Sequence, residues 1–192
     1  MLRRFVMVCA MIFAVSPAWA QTPVHGMNRG LTIEAGGGFA YTQFNAGPGW
    51  PNVIGVYGSL AVNVTPWMQI YGDGVAQFRS YANSTTKIYT NDFGPRIFIH
   101  RKYLPITPFV EFFVGGARLD YKVTSSGTTT QYSQNGFSFK TGGGFDIPLT
   151  THWTFRAIDV DYFSTPFLQT RQSNVYFASG IVYTFGHRNN PR

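Results

Sequence analysis

Hydrophobic and polar residues alternate along most of the chain with a period of two. Eight such segments can be marked out: residues 31–44, 53–64, 68–80, 87–99, 107–123, 136–147, 153–163 and 174–185. Period-two alternation over this length, bounded by turn residues, predicts β-strands. In the last segment Val175, Phe177, Ile181, Tyr183 and Phe185 fall on one face, and Ala178, Gly180, Val182 and Thr184 on the other. In the sixth, Phe137, Phe139, Phe145 and Ile147 oppose Ser138, Lys140, Gly142, Gly144 and Asp146. In the fourth, Tyr89, Phe93, Ile97 and Ile99 oppose Thr90, Asp92, Gly94 and Arg96. One face thus carries large apolar side chains, and the other carries small residues and charges of both signs. A soluble β-sandwich turns its apolar face inward and its strand charges toward water. Here seven of the eight acidic residues fall inside strands on the polar face: Glu34, Asp73, Asp92, Glu111, Asp146, Asp159 and Asp161. Burying them requires the apolar face to look outward into lipid. The seventh segment keeps Arg156, Asp159 and Asp161 on one face only if a β-bulge lies near Ile158.

The connections alternate in length. Residues 65–66, 100–106 and 148–152 are short, whereas 45–52, 81–86, 124–135 and 164–173 are longer and rich in Ser, Thr, Asn, Gly and Gln. Short turns at one end and longer loops at the other are the pattern of an outer-membrane barrel. In hydrocarbon every backbone N–H and C=O needs an internal partner, so extended strands must close on themselves. The predicted fold is therefore all-β: an eight-stranded antiparallel up-and-down transmembrane β-barrel. Eight strands leave an interior that side chains fill. A lipocalin-like soluble barrel is the rival fold, with its apolar face turned inward around a ligand.

The first twenty residues belong to a different class. Arg3 and Arg4 precede the apolar run Phe5–Val15, and Ala18-Trp19-Ala20 supplies an A-x-A cleavage pattern. This reads as a cleavable signal peptide over residues 1–20, with Ala18 and Ala20 as its cleavage residues. Residues 21–30 are then a short N-terminal periplasmic segment, 31–185 the barrel and 186–192 a short C-terminal tail. Cleavage would remove Arg3 and Arg4 and lower the formal net charge from +7 to about +5. It would also remove Cys9, the single cysteine, which excludes disulfides and Cys-based metal sites from the mature chain.

Composition supports the same class. Charged residues make up 12% and aromatic residues 17%, with 18 Phe and 11 Tyr. Ordinary soluble domains carry about 25% charged residues. Glycines leave room inside the barrel for long polar side chains. Tyr41, Trp50, Trp67, Tyr89, Trp153 and Tyr183 lie near strand ends, where interfacial aromatic belts form. Charges in a narrow lumen must be paired. Arg79, Arg96, Lys140 and Arg156 are therefore expected to pair with Glu34, Asp73, Asp92, Glu111, Asp146, Asp159 and Asp161.

No catalytic set emerges. His25, His100, His152 and His187 all fall in turns or tails at the short-turn end, while the serines cluster mainly at the other. A Ser–His–carboxylate arrangement within hydrogen-bond reach is therefore not expected. Gly36–Gly38 and Gly142–Gly144 do not open a helix after a strand, as a phosphate loop must. No His, Asp or Glu group has metal-ligand spacing, and the basic charge is dispersed, so neither metal, cofactor nor nucleic acid is expected.

The runs NDFGPRIFI (91–99), PFVEFFVGGARL (108–119), FKTGGGFDIPL (139–149), RAIDVDYFST (156–165) and ASGIVYTFG (178–186) resemble the OmpA/OmpX-like outer-membrane β-barrel domain family. The resemblance covers about residues 28–186. Ile181, Tyr183 and Phe185 resemble the C-terminal signal read by the barrel assembly machinery, although seven residues follow Phe185 here. The peptidoglycan-binding domain of full-length OmpA-like proteins has no counterpart, so a wall-tethering role is not carried over. The resemblance implies an outer-membrane location, outer-membrane lipid and the assembly machinery as partners, and a plugged lumen. The resulting expectation is a non-enzymatic, monomeric structural or surface-interaction barrel, with an extracellular ligand held by loops such as 124–135 and 164–173. The alternatives are a narrow porin-like pore for small solutes or ions, and a lipid-modifying outer-membrane enzyme.

Overall fold

A computed structural model describes residues 32–44, 52–99, 105–125, 128–167 and 170–185. The segments expected to be the signal peptide, the short N-terminal segment and the C-terminal tail lie outside these residues, as do Trp50, His25, His100 and His187. The eight strands are β1 (Thr32–Gln43), β2 (Val53–Asn63), β3 (Met68–Tyr81), β4 (Ser84–Phe98), β5 (Thr107–Ser125), β6 (Thr128–Pro148), β7 (Trp153–Phe167) and β8 (Thr170–Phe185). Each pairs antiparallel with the next, and β8 closes on β1, with Phe39 opposite Ser179. Closure removes both sheet edges, which is what a bilayer demands of extended chain.

Alternation sets the radial direction of each side chain. Phe39, Leu60, Phe93, Phe112, Phe137 and Ile181 stand exposed on the outer wall. Glu34, Asp92, Arg96, Glu111, Lys140 and Arg156 point inward and are buried. Trp67 and Trp153 are exposed beside the short turns. Tyr183 packs edge-on against both Trp153 and Phe185, each with ring centroids 4.8 Å apart, beside the same turns. Aromatic rings placed there fit the interfacial belt.

The register breaks once. Phe145 pairs with Ile158 but Asp146 pairs with Arg156, and Arg156 and Asp159 pair with Gly180 and Ala178. The two-residue step across Ala157 and Ile158 is the bulge that the charge pattern of β7 requires. It lets Arg156, Asp159 and Asp161 all face the lumen.

Of the long loops expected from sequence, 45–51 lie outside the described residues, and the other three are largely strand instead. β5 and β6 run for 19 and 21 residues, well beyond the ~9–11 that cross a bilayer. Their pairing continues to Thr124 opposite Thr129 and Ser125 opposite Thr128, so most of 124–135 is a hairpin. β7 and β8 likewise pair out to Phe167 opposite Thr170. Between β3 and β4 the expected loop 81–86 shrinks to a tight turn at Ala82-Asn83, with Ala82 at a φ of 48°. The cause is composition. Thr-rich segments suit turns and strands equally, and a paired neighbour decides for the strand.

The lumen has two layers. Toward the long-hairpin end it is uncharged, with Phe44, Val53, Ile88, Leu119, Phe163 and Phe167 packed among buried Thr42, Gln77, Thr86, Thr165 and Asn174. Toward the short-turn end it holds the charged residues, with Tyr71 and Phe113 stacked among them, centroids 5.1 Å apart.

Candidate functional site

The lumen charges form three groups. In the first, Arg96 sits directly opposite Glu111 in the β4–β5 register, and its guanidinium lies 2.5 Å from Glu111 Oε2 and 3.4 Å from Asp159 Oδ2. The same guanidinium stacks over Tyr71 at 3.7 Å and Phe109 at 4.4 Å from the ring centroids. Rings on its faces and carboxylates on its edge stand in for the water a planar cation has lost, while Nη1 has no hydrogen-bond partner among the described residues.

The second group solves a like-charge problem. Asp73 and Asp92 are direct cross-strand partners, an unfavourable juxtaposition on its own. Lys140 reaches both from β6, with Nζ 3.1 Å from Asp73 Oδ2 and 2.8 Å from Asp92 Oδ2. Ser138 donates to Asp92 Oδ1 at 2.5 Å. Tyr176 lies under the ammonium, 4.7 Å from the ring centroid.

In the third, Arg156 donates to both oxygens of Asp146, at 3.0 and 3.3 Å. A further Arg156 N–H donates to the Tyr71 hydroxyl at 3.1 Å. Tyr71 thus touches two of the three arginine and lysine centres and ties the first group to the third.

Three sequence expectations are corrected, the first being Asp161, which is buried but forms no ion pair with a described lysine or arginine because Lys140 and Arg156 are taken by Asp73, Asp92 and Asp146. Arg79 is exposed and donates to the Asn52 carbonyl at 3.1 Å, outside the lumen groups. It shares the inward parity of β3, but at the end of the strand there is no enclosed lumen left to face. Glu34 is buried, yet its partners are amides, Asn63 Nδ2 at 2.9 Å and Gln69 Nε2 at 2.8 Å, rather than a cation. Polar donors can hold a buried carboxylate in place of a counter-ion.

The structure also brings together what linear spacing does not show. One carboxylate oxygen from each of Glu111, Asp159 and Asp161 lies within 4.8 Å of the others, and all three side chains are buried. The contributions of Tyr71, Phe109, Phe113 and Tyr176 were equally unread. Their parity along the strands places them inward, but which ring meets which charge depends on pairing across the barrel.

Ile181 and Phe185 face outward and are exposed. His152 lies at the short-turn end, with Nδ1 3.0 Å from the Thr184 carbonyl and its ring stacked on Tyr183.

No protein-family model and no curated protein sequence matches the chain. Solved structures do. The crystal structure of Ail, the attachment invasion locus protein of Yersinia pestis, superposes with a TM-score of 0.62 at 13% identity, covering 81% of this chain and 99% of that one. A second crystal structure of Ail, in complex with the heparin analogue sucrose octasulfate, gives a TM-score of 0.61 at 13% identity with the same coverage. A major outer membrane protein from Thermus thermophilus gives 0.60 at 10% identity, covering 81% of this chain and 100% of that one. At these identities the likeness is one of fold, and the chain has the fold of the small eight-stranded outer-membrane barrels, as its resemblance to the OmpA/OmpX-like family implies.

Proposed function

We propose that the protein is a non-enzymatic outer-membrane barrel with a closed lumen, and that it acts through the surface it presents outside the cell. The observation that carries this reading is the filling of the lumen. Arg96, Lys140 and Arg156 are buried to within 1% of complete, each against a carboxylate and an aromatic ring, and a packed uncharged layer caps them. A solute path would have to break ion pairs that are costly to separate in a dry interior. The role of the lumen is then to hold the wall rigid beneath the hairpins.

Location and assembly follow the same reading. The chain is exported, cut at Ala18–Ala20 and inserted by the barrel assembly machinery through the Ile181, Tyr183 and Phe185 strand. It works as a monomer.

The working surface is the β3–β4, β5–β6 and β7–β8 hairpin ends. Arg79, Lys87, Arg118 and Lys122 are exposed there, and Asp120 is the one acidic residue beside them among the described residues. A sulfated polysaccharide is the first ligand class to test, because Ail has been crystallised with a heparin analogue and these four cations would meet its sulfates.

Planar-bilayer recording of the purified barrel tests the closed lumen. The expected result is no steady conductance. Steady conductance that changes when Arg96 or Glu111 is neutralised would replace this reading with the narrow pore.

A further inference from the structure

We infer that the lumen holds one hard divalent cation between Glu111, Asp159 and Asp161. The formal charges point to it. The three carboxylates carry −3, and Arg96, the cation in contact with them among the described residues, returns +1 through Glu111 and Asp159. The other two lumen cations are engaged elsewhere, Lys140 by Asp73 and Asp92 and Arg156 by Asp146. With all three ionised, the ion pairs leave two negative charges there, which a shared proton or a bound cation must offset because burial makes an uncompensated charge costly.

The positions of individual oxygens carry the argument further than the count does. Asp159 gives Oδ2 to Arg96, and its Oδ1 has no hydrogen-bond partner among the described residues. Asp161 Oδ1 has none either, and the residue is 1% exposed. This oxygen has a defined position. Glu111 and Asp161 flank Gly142 in the sheet, each pairing with it from opposite sides. Asp161 Oδ1 lies over Gly142, close to where a Cβ there would sit, and an Asp161 carboxylate oxygen is within 4.8 Å of one from Glu111. An orphaned, buried, anionic oxygen beside a second carboxylate is stabilised when a cation lies between them. A donor set made only of carboxylate oxygens selects hard ions such as Ca²⁺, Mg²⁺ or Mn²⁺ over soft ones.

The test uses the barrel refolded in detergent micelles free of glycolipid, so that headgroup phosphates cannot bind the ion. Calorimetric titration with CaCl₂ should give one site per barrel. Asp161→Asn, which keeps shape and removes one ligand charge, should weaken it by about tenfold or more. Glu34→Gln, a buried carboxylate held by amides elsewhere in the lumen, should leave it unchanged. Mn²⁺ added to wild-type barrel should broaden backbone amide signals centred on Gly142, which locates the site without any substitution. Absence of a site in the folded wild-type protein would overturn the proposal. So would Mn²⁺ broadening centred on the hairpin turns, or calcium binding that survives both Asp161→Asn and Asp159→Asn.

Discussion

The two halves of β4 and β5 obey opposite rules. Toward the short turns, Phe93, Ile97 and Phe112 face out while Asp92, Arg96 and Glu111 face in. Toward the hairpin ends, Lys87, Arg118 and Lys122 face out while Ile88, Ala117 and Leu119 face in. The strands are continuous and the alternation keeps its period, so what has changed is the surroundings that each face meets, outside and in the lumen. The first half is built for hydrocarbon and the second for water. The change falls near Tyr89, which pairs with Arg118, one outward position beyond Gly116 and Phe137. The lesson is that the pattern marks the membrane boundary along single strands.

That contrast can be broken from either side. The largest effect is expected inside the membrane half. Arg96→Met strands Glu111 and Asp159 and should cost about 3–5 kcal/mol of stability, read as a fall in the urea unfolding midpoint in lipid vesicles. Next comes the lipid wall. Phe112→Lys places a charge in hydrocarbon and should cost about 2–4 kcal/mol by the same measurement. If residue 112 were in water instead, the midpoint would hardly move. In the aqueous half the packing is that of a soluble core, and Ile88→Val should cost only about 0.5–1.5 kcal/mol. The smallest effect belongs to Arg118→Gln. Arg118 is exposed and bonded to Asp120 at 3.1 Å in water, so its loss should leave the midpoint where it was. A large loss at Arg118 would move the boundary of the membrane half outward.

The sequence carried the eight strands, their inward and outward faces and the bulge at Ala157-Ile158, because each of these is written in local parity. What it withheld depends on partners. Arg79 has the parity of Asp73 and Gln77, but the lumen ends before its position does. Glu34 was expected to find a cation and instead found Asn63 and Gln69, neutral neighbours that only the β1–β2–β3 register brings near. Residues 124–135 have turn-like composition, and their extended pairing is settled by the facing strand. The approach of Glu111, Asp159 and Asp161 arises from β5 and β7 closing over Gly142 of β6, a relation with no trace in linear spacing. Ile88 and Leu119 were read as part of one continuous pattern, and the inversion shows only when inner and outer residues are compared along the strand.

The inversion itself can be measured directly. Single cysteines at positions 111, 112, 118 and 119 of the barrel without residues 1–20, which has no cysteine of its own, can carry nitroxide labels in the folded, bilayer-embedded state. Collision with oxygen reports lipid, and collision with a water-soluble nickel chelate reports solvent. The account predicts that label 112 meets oxygen, label 118 meets nickel, and labels 111 and 119 meet neither. Oxygen reaching label 111 while label 112 stays shielded would contradict it.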